Sequence, residues 1–136
     1  MGISHVPRGF TSVTPYFHLT DGRKFTEFVK AAFDAEVIDD HRNEEGILLH
    51  GAFKIYGSMI EGSDATAEWP ATKTSIHMYV PDCDEVYQQA VKAGGKKIHE
   101  PVDQEYGERA GAVEDPCGNR WYIATQKVEM YPEQSL

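Results

Sequence analysis

Tyr106 to Thr125 reads YGERAGAVEDPCGNRWYIAT, and this stretch decides the fold. Gly111-Ala112-Val113-Glu114 is an incoming strand-like run. Asp115-Pro116-Cys117-Gly118-Asn119 reverses the chain, and Arg120 to Thr125 runs back out. Pro116 presets the φ angle of the first central turn position. Gly118 supplies a backbone that tolerates the left-handed region, so the two runs are expected to close as a hairpin with a bulge. On the outgoing strand Trp121 and Ile123 share one face, and Tyr122 and Ala124 share the other.

Upstream, the chain states one pattern twice. Thr14-Pro15-Tyr16-Phe17-His18-Leu19 alternates as a strand does. Asp21 then caps a helix predicted over Gly22 to Phe33, whose Phe25, Phe28, Val29, Ala32 and Phe33 form one apolar stripe. Further strands are predicted around Glu36–Asp40, Ile47–Ile55 and Ser58–Glu61. The polar stretch GSDATAEWPATK, residues 62–73, reads as a linker. The pattern then restarts: Tyr16 to Asp21 matches His77 to Asp82 at a constant offset of 61. Phe25, Ala32 and Val37 meet Val86, Ala93 and Ile98 at that same offset. Asp82 caps the second helix, and Gly94-Gly95 ends it with the left-handed turn that glycine favours. The reading is two copies of strand–helix–strand–strand–strand, about 12–66 and 72–126, within one domain spanning 1–136.

Bulk properties narrow the function. A chain of 136 residues buries roughly two thirds of its extended surface, enough for a core without staples. Cys83 and Cys117 form no disulfide framework, and MGISHVPRGF carries no apolar signal segment, so the expected compartment is the cytoplasm. No apolar run approaches the ~18 residues of a membrane span. A net charge of −9 argues against nucleic acid, which wants a basic stripe, and against anionic membranes.

The first strand of each copy carries the functional argument. Phe17 and Leu19 point one way, with Thr14, Tyr16 and His18 opposite. Ile76, Met78 and Val80 point one way, with Ser75, His77 and Tyr79 opposite. Each helix has one apolar stripe and is expected to cover the apolar face. The Tyr/His face then lines a ligand cleft, joined by Tyr122 and Glu61 if strand registers hold.

Three stretches carry a resemblance: TPYFHLTDGRKFTEFVKAAFDAEV, HMYVPDCDEVYQQAVKAGG and DQEYGERAGAVEDPCGNRWYIAT. Together they resemble the vicinal oxygen chelate superfamily, which includes glyoxalase I, fosfomycin-resistance, bleomycin-resistance and extradiol dioxygenase proteins. The likeness is strongest to its PhnB-like, glyoxalase-like group. The resemblance implies an α+β fold of two βαβββ modules forming curled mixed sheets around a cleft, commonly in a homodimer. It also implies a divalent ion (Zn, Fe, Mn or Ni) held by His, Gln or Glu on the first and last strands of the modules. Carried over, those positions fall on Thr14, Ser75, Tyr122, and Glu61 or Gly62. Thr, Ser and neutral Tyr are poor ligands for such an ion.

The expected ligand-binding set is therefore Thr14, Tyr16, His18, Glu61, Ser75, His77, Tyr79 and Tyr122, with Arg109 as a possible anion clamp. The favoured reading of Arg109 is a structural tie to Glu108, Glu105 or Asp115, since acidic partners abound. A shifted metal site from His18, His77 and Glu61 competes with histidines that merely bond tyrosines or water. His41, His50 and His99 read as solvated or sheet-edge groups, and Cys117 as inert. The leading expectation is a glyoxalase-like protein of undetermined reaction that binds a small molecule without the usual metal. The alternatives are a metal-dependent lyase, isomerase or dioxygenase, and a structural or regulatory homodimer.

Overall fold

A computed structural model describes residues 2–133. The order is β1 (Tyr16–Leu19), α1 (Gly22–Phe33), β2 (Glu36–Arg42), β3 (Leu48–Ile55) and β4 (Ser58–Asp64). The same succession follows as β5 (Ser75–Tyr79), α2 (Cys83–Lys92), β6 (Lys96–Asp103), β7 (Glu108–Glu114) and β8 (Arg120–Gln126). Each half makes a four-stranded mixed sheet, ordered β1-β4-β3-β2 and β5-β8-β7-β6. Within each, the first and last strands pair in parallel and the others antiparallel. The 61-residue offset survives in the registers: Tyr16 lies opposite Glu61, and His77 opposite Tyr122.

Both helices start where a side chain can satisfy free amides. Asp21 accepts from the Lys24 amide at 3.0 Å, and Asp82 from those of Asp84 and Glu85 at 3.1 and 3.2 Å. Gly94, at φ 109°, turns the chain out of α2 as expected. β4 runs to Asp64 rather than stopping at Glu61. Parallel pairing with β1 gives Gly62, Ser63 and Asp64 partners in Phe17, His18 and Leu19, so the first residues of the expected linker are strand.

The β7–β8 hairpin forms, but its ladder runs from Glu108–Gln126 to Glu114–Arg120 with no register shift. The expected bulge lies in the turn itself: the Gly118 amide donates to the Asp115 carbonyl at 3.0 Å and the Asp115 amide to the Asn119 carbonyl at 2.8 Å, a turn closed by a glycine bulge, and a side chain organises it further. Asp115, 4% exposed, accepts from the amides of Cys117 and Asn119, from the Asn119 side chain and from Trp121 Nε1 at 2.8–3.2 Å. Asn119 Oδ1 accepts the Thr74 amide at 2.9 Å, tying the turn to the entry of β5. A buried carboxylate with this many donors is satisfied, where an unpaired one would be costly. Gly118, at φ 85°, takes the left-handed position.

The hairpin aims Trp121 into the other half. Its ring stacks on Phe17 (centroids 6.1 Å apart, 7° between planes) and packs against Phe33 at 4.8 Å and Phe25 at 6.4 Å. One hydrophobic cluster accordingly runs from Phe17, Phe28 and Phe53 to Val86, Val113 and Ile123. Across the helix pair, Gln89 donates to the Ala31 carbonyl and to Asp34 at 3.0 and 3.1 Å. The helices thus pack behind the apolar sheet faces, as alternation requires, and both Tyr/His faces are left without helix cover.

Candidate functional site

The uncovered face of the first sheet is built around His50. Its Nδ1 lies 2.6 Å from Asp39 Oδ2, and its Nε2 lies 2.8 Å from Glu61 Oε1. Hydrogen bonds to Asp39 first and Glu61 second raise the imidazole's pKa above its ordinary value, against an opposing effect of burial. The Tyr16 hydroxyl donates to Ser63 Oγ at 3.0 Å, and its ring tilts over His18 at 5.2 Å. His18 stacks flat on Trp69 (5.7 Å, 10°), and its Nδ1 is buried without a partner. The segment before β1 folds over this face. His5, Phe10, Thr14, His50, Ala52 and Glu61 are among the residues lining a cleft of about 440 Å³.

The uncovered face of the second sheet has a different anchor. Glu108 is 1% exposed and lies opposite Gln126 of β8. Its Oε2 receives the Tyr106 hydroxyl at 2.8 Å and lies 3.0 Å from His77 Nε2. Its Oε1 is buried with no partner. The rings of Tyr79 and Tyr122 lie 4.7 and 6.2 Å from that of His77. His77 and Tyr79 also line a hollow of about 280 Å³ with Ile55, Tyr56 and Ser58 at the β3–β4 turn.

The sequence-derived set is therefore distributed over two faces. Thr14, Tyr16, His18 and Glu61 lie on the first, and His77, Tyr79 and Tyr122 on the second. Ser75 is exposed at the start of β5, opposite Arg120. Arg109 belongs to neither face. It alternates with Glu108 and points to the helix side, where its guanidinium holds Asp84 at 2.8 and 3.0 Å and reaches Asp103 at 3.4 Å. The structural-tie reading is the one realised, with different acids from those expected. The tie holds the Asp84 carboxyl below its usual range. Cys117 is buried at the hairpin, and burial pushes its thiol pKa up, which suits an inert group.

His18, Glu61 and His77 do not converge within the chain. His18 stacks on Trp69, Glu61 is paired with His50, and His77 with Glu108. Among the described residues no group of three or more His, Cys, Asp or Glu is arranged to hold an ion. These residues do not fit the divalent ion that the superfamily implies.

Sequence reasoning missed four participants: His50, Asp39, Glu108 and Trp69. Parity offered a signal for two. Phe53 and Val113 are core residues, so His50 and Glu108, at odd separations from them, belong to the opposite face. Asp39 follows a register shift in the β2–β3 ladder, where counting by twos fails. Trp69 lies in the polar stretch outside the strands, where periodicity has nothing to say.

No described helix is long and apolar enough to cross a membrane. Comparisons with known proteins place this architecture. A family model described as the Glyoxalase/Bleomycin resistance protein/Dioxygenase superfamily matches residues 19–123. The uncharacterized protein Rv0887c of Mycobacterium tuberculosis is 27% identical over 141 residues, covering 90% of this chain and 83% of that protein. The uncharacterized protein Mb0911c of Mycobacterium bovis is 28% identical over 123 residues, covering 82% and 81%. Among solved structures, TioX of Micromonospora sp. ML1 superposes with a TM-score of 0.70 at 17% identity, covering 88% of this chain and 99% of that one. The fosfomycin resistance protein FosX of Mesorhizobium loti gives 0.63 at 16%, covering 87% and 93%. A PhnB protein of Bacillus cereus, described as a putative 3-demethylubiquinone-9 3-methyltransferase, gives 0.61 at 14%, covering 85% and 99%. Likeness at these identities is likeness of fold, and the family match is what assigns membership: the chain belongs to the glyoxalase/bleomycin resistance/dioxygenase superfamily.

Proposed function

We propose that the protein binds a small aromatic or amphipathic molecule on its uncovered sheet faces, without a metal ion. One observation carries this reading. Each sheet turns a face of rings and fixed polar groups away from the shared core, with no helix over it. Tyr16 is 40%, Trp69 60% and Tyr79 54% exposed. Rings held open beside buried hydrogen-bonding groups suit a ligand wall better than a dry core. Glu61 and His77, two of the three candidate ligands, are spent on other partners, which favours a metal-independent mode.

Two copies of the chain are proposed to pair, so that each uncovered face gains a second wall. The exposed Ile38 and Leu49 on the first sheet support this, since a partner would take them out of water. The free, buried cysteines suit a reducing cytoplasm.

The test is a thermal-shift screen of small aromatic and amphipathic compounds on the full chain, with and without a strong chelator. A ligand that binds only the folded form raises the melting temperature. The expected result is stabilisation by at least one compound, unchanged by chelator. Stabilisation that chelator abolishes, or none across the screen, would overturn the proposal. Sedimentation at micromolar concentration should find the dimer; a monomer would remove the pairing.

A further inference from the structure

The two sheets end in the edge strands β1, β2, β5 and β6, and three of these edges are guarded. β2 carries Asp39, Asp40 and Arg42 and shifts register against β3. β6 carries Lys96, Lys97 and Pro101 and also shifts register. Beside β1 the Thr72 amide of the following segment donates to the His18 carbonyl at 3.1 Å. Charges, proline, irregular pairing and a covering segment are the means by which strand edges are kept from finding partners. β5 has none of them. Its sequence, SIHMY, carries no carboxylate, lysine, arginine or proline, and it pairs with β8 in an unbroken register.

Parity fixes which groups are free there. The Thr74 carbonyl and the Val80 amide are bonded to the β8 side, at Arg120 and Ala124. The hydrogen-bonding side alternates from residue to residue along a strand. Ile76 and Met78 therefore face β8, and the amides and carbonyls of Ser75, His77 and Tyr79 point away from the sheet. Among the described residues none of these groups has a hydrogen-bond partner.

A slot runs along this edge. The hollow of about 280 Å³ is lined by residues from both faces of β5, Ile76 and Met78 as well as His77 and Tyr79, so it follows the edge of the strand. Ile55, Ile60 and Trp121 complete its apolar floor. Its far wall is the β3–β4 turn, where Tyr56 and Gly57 take φ of 47° and 82° between the closing pair Ile55 and Ser58, a tight two-residue turn. The charges that reach its rim are acidic. Burial, then the charges of Asp34 and Glu85, raise the pKa of Tyr56. Burial, then the Glu108 charge and Tyr131, raise that of Tyr79.

Unpaired amides and carbonyls at strand spacing match a main chain in extended form. Alternation settles the side chains. A residue opposite His77 or Tyr79 turns its side chain to the open, ring-bearing face, and a residue opposite Ile76 or Met78 turns its own over the apolar floor. A second copy of this chain is a poor fit, since it brings a charge of −9 and the same acidic rim against this one. A basic strand is attracted instead.

We propose that the free edge of β5 binds an extended peptide as an added antiparallel strand, with apolar side chains over Ile76 and Met78 alternating with basic side chains on the open face. Such binding goes beyond the small-molecule reading above and does not depend on it.

The test is an NMR titration of the isotope-labelled full chain with acetyl-Lys-Leu-Lys-Leu-Lys-amide, a peptide as long as β5. The His77 and Tyr79 amides are expected to move most. The same peptide N-methylated at its central lysine keeps every side chain and loses the N–H that the His77 carbonyl accepts. It should bind at least about tenfold more weakly. Acetyl-Glu-Leu-Glu-Leu-Glu-amide should also bind at least about tenfold more weakly. Tyr79→Pro removes an amide that the β5–β8 ladder does not use, so the sheet should hold while affinity falls at least about threefold. Should that variant misfold, the peptide series on the wild type still decides. No binding, shifts centred elsewhere, equal affinity for the N-methylated or the acidic peptide, or unchanged affinity in Tyr79→Pro would each overturn the inference. His77 and Tyr79 amides that shift with protein concentration alone would overturn it too, by giving the edge to a second copy. Each of these results leaves the small-molecule reading standing; that reading fails separately, if the wider screen stabilises nothing.

Discussion

The two uncovered faces share a scaffold and part company in how they treat a histidine. On the first, both nitrogens of His50 are engaged by carboxylates, Asp39 and Glu61, on neighbouring strands. On the second, His77 meets one carboxylate, and that carboxylate is buried with half of its accepting capacity unused. The registers are equivalent, but the histidines are not: His50 sits on β3 and His77 on β5, where the first sheet has Tyr16. The strands that supply the acids differ too. Glu61 sits on β4, beside the first strand, where it remains partly open to water. Glu108 sits on β7, between β8 and the edge strand β6, and is almost wholly shut off from water. A carboxylate in the first setting is a local partner for an imidazole. In the second it is a standing demand for a donor.

The largest effect expected concerns what the two faces have in common. Trp121→Ala removes the ring that joins the helix-backed faces, and should cost about 3–5 kcal/mol in denaturant unfolding. The loss should appear in a single transition, because the core is continuous across both halves. Two separated transitions in the wild type would break the comparison at its root, by making the halves independent.

A smaller effect separates the faces. Glu108→Ala leaves the Tyr106 hydroxyl and His77 without their buried partner, and is expected to destabilise by about 1–3 kcal/mol. Glu61→Ala, at the more open position, should cost less than about 1 kcal/mol. Equal costs, measured by the same denaturant midpoint, would mean that depth does not distinguish the two acids.

The smallest effect is a pH dependence. Asp39 and Glu61 raise the His50 pKa above 6.5, so the folded protein holds that proton more tightly than the unfolded chain does. The stabilisation it brings is fully present below about 6.5 and is lost as pH rises through the raised value. Asp39→Asn should flatten that part of the stability profile and lower the His50 titration midpoint seen by NMR. An unchanged midpoint would show that the short contact to Asp39 does not hold in solution.

How much of this was legible in the sequence follows from which physical signals are local. Capping aspartates, the apolar stripe of α1 and the restart at His77 are local or periodic, and they located both helices and the equivalent strands. Alternation correctly put Tyr16 and His18, and His77 and Tyr79, on faces without helix cover. It would equally have put Arg109 behind the sheet, since Arg109 has the parity of the core residue Val113. The chemistry of each face depends instead on cross-strand partners. His50 finds Asp39 across a ladder with register shifts, and Glu61 two strands from β2. Trp69 reaches His18 from outside any strand. Such meetings depend on registers and loop paths that no periodicity encodes. Glu108 was hidden for another reason. A charged residue beside an arginine invites pairing with that neighbour, and only burial reveals that it faces the other way.

The stacked rings of Phe17 and Trp121 have a consequence for how such a chain can diverge. A duplicated unit whose inner surfaces interlock must change those surfaces in concert. Its outer surfaces answer to no such constraint, and each can drift toward its own chemistry at little cost to the fold. One gene product can thereby carry two chemically unlike surfaces on a frame that stays common to both.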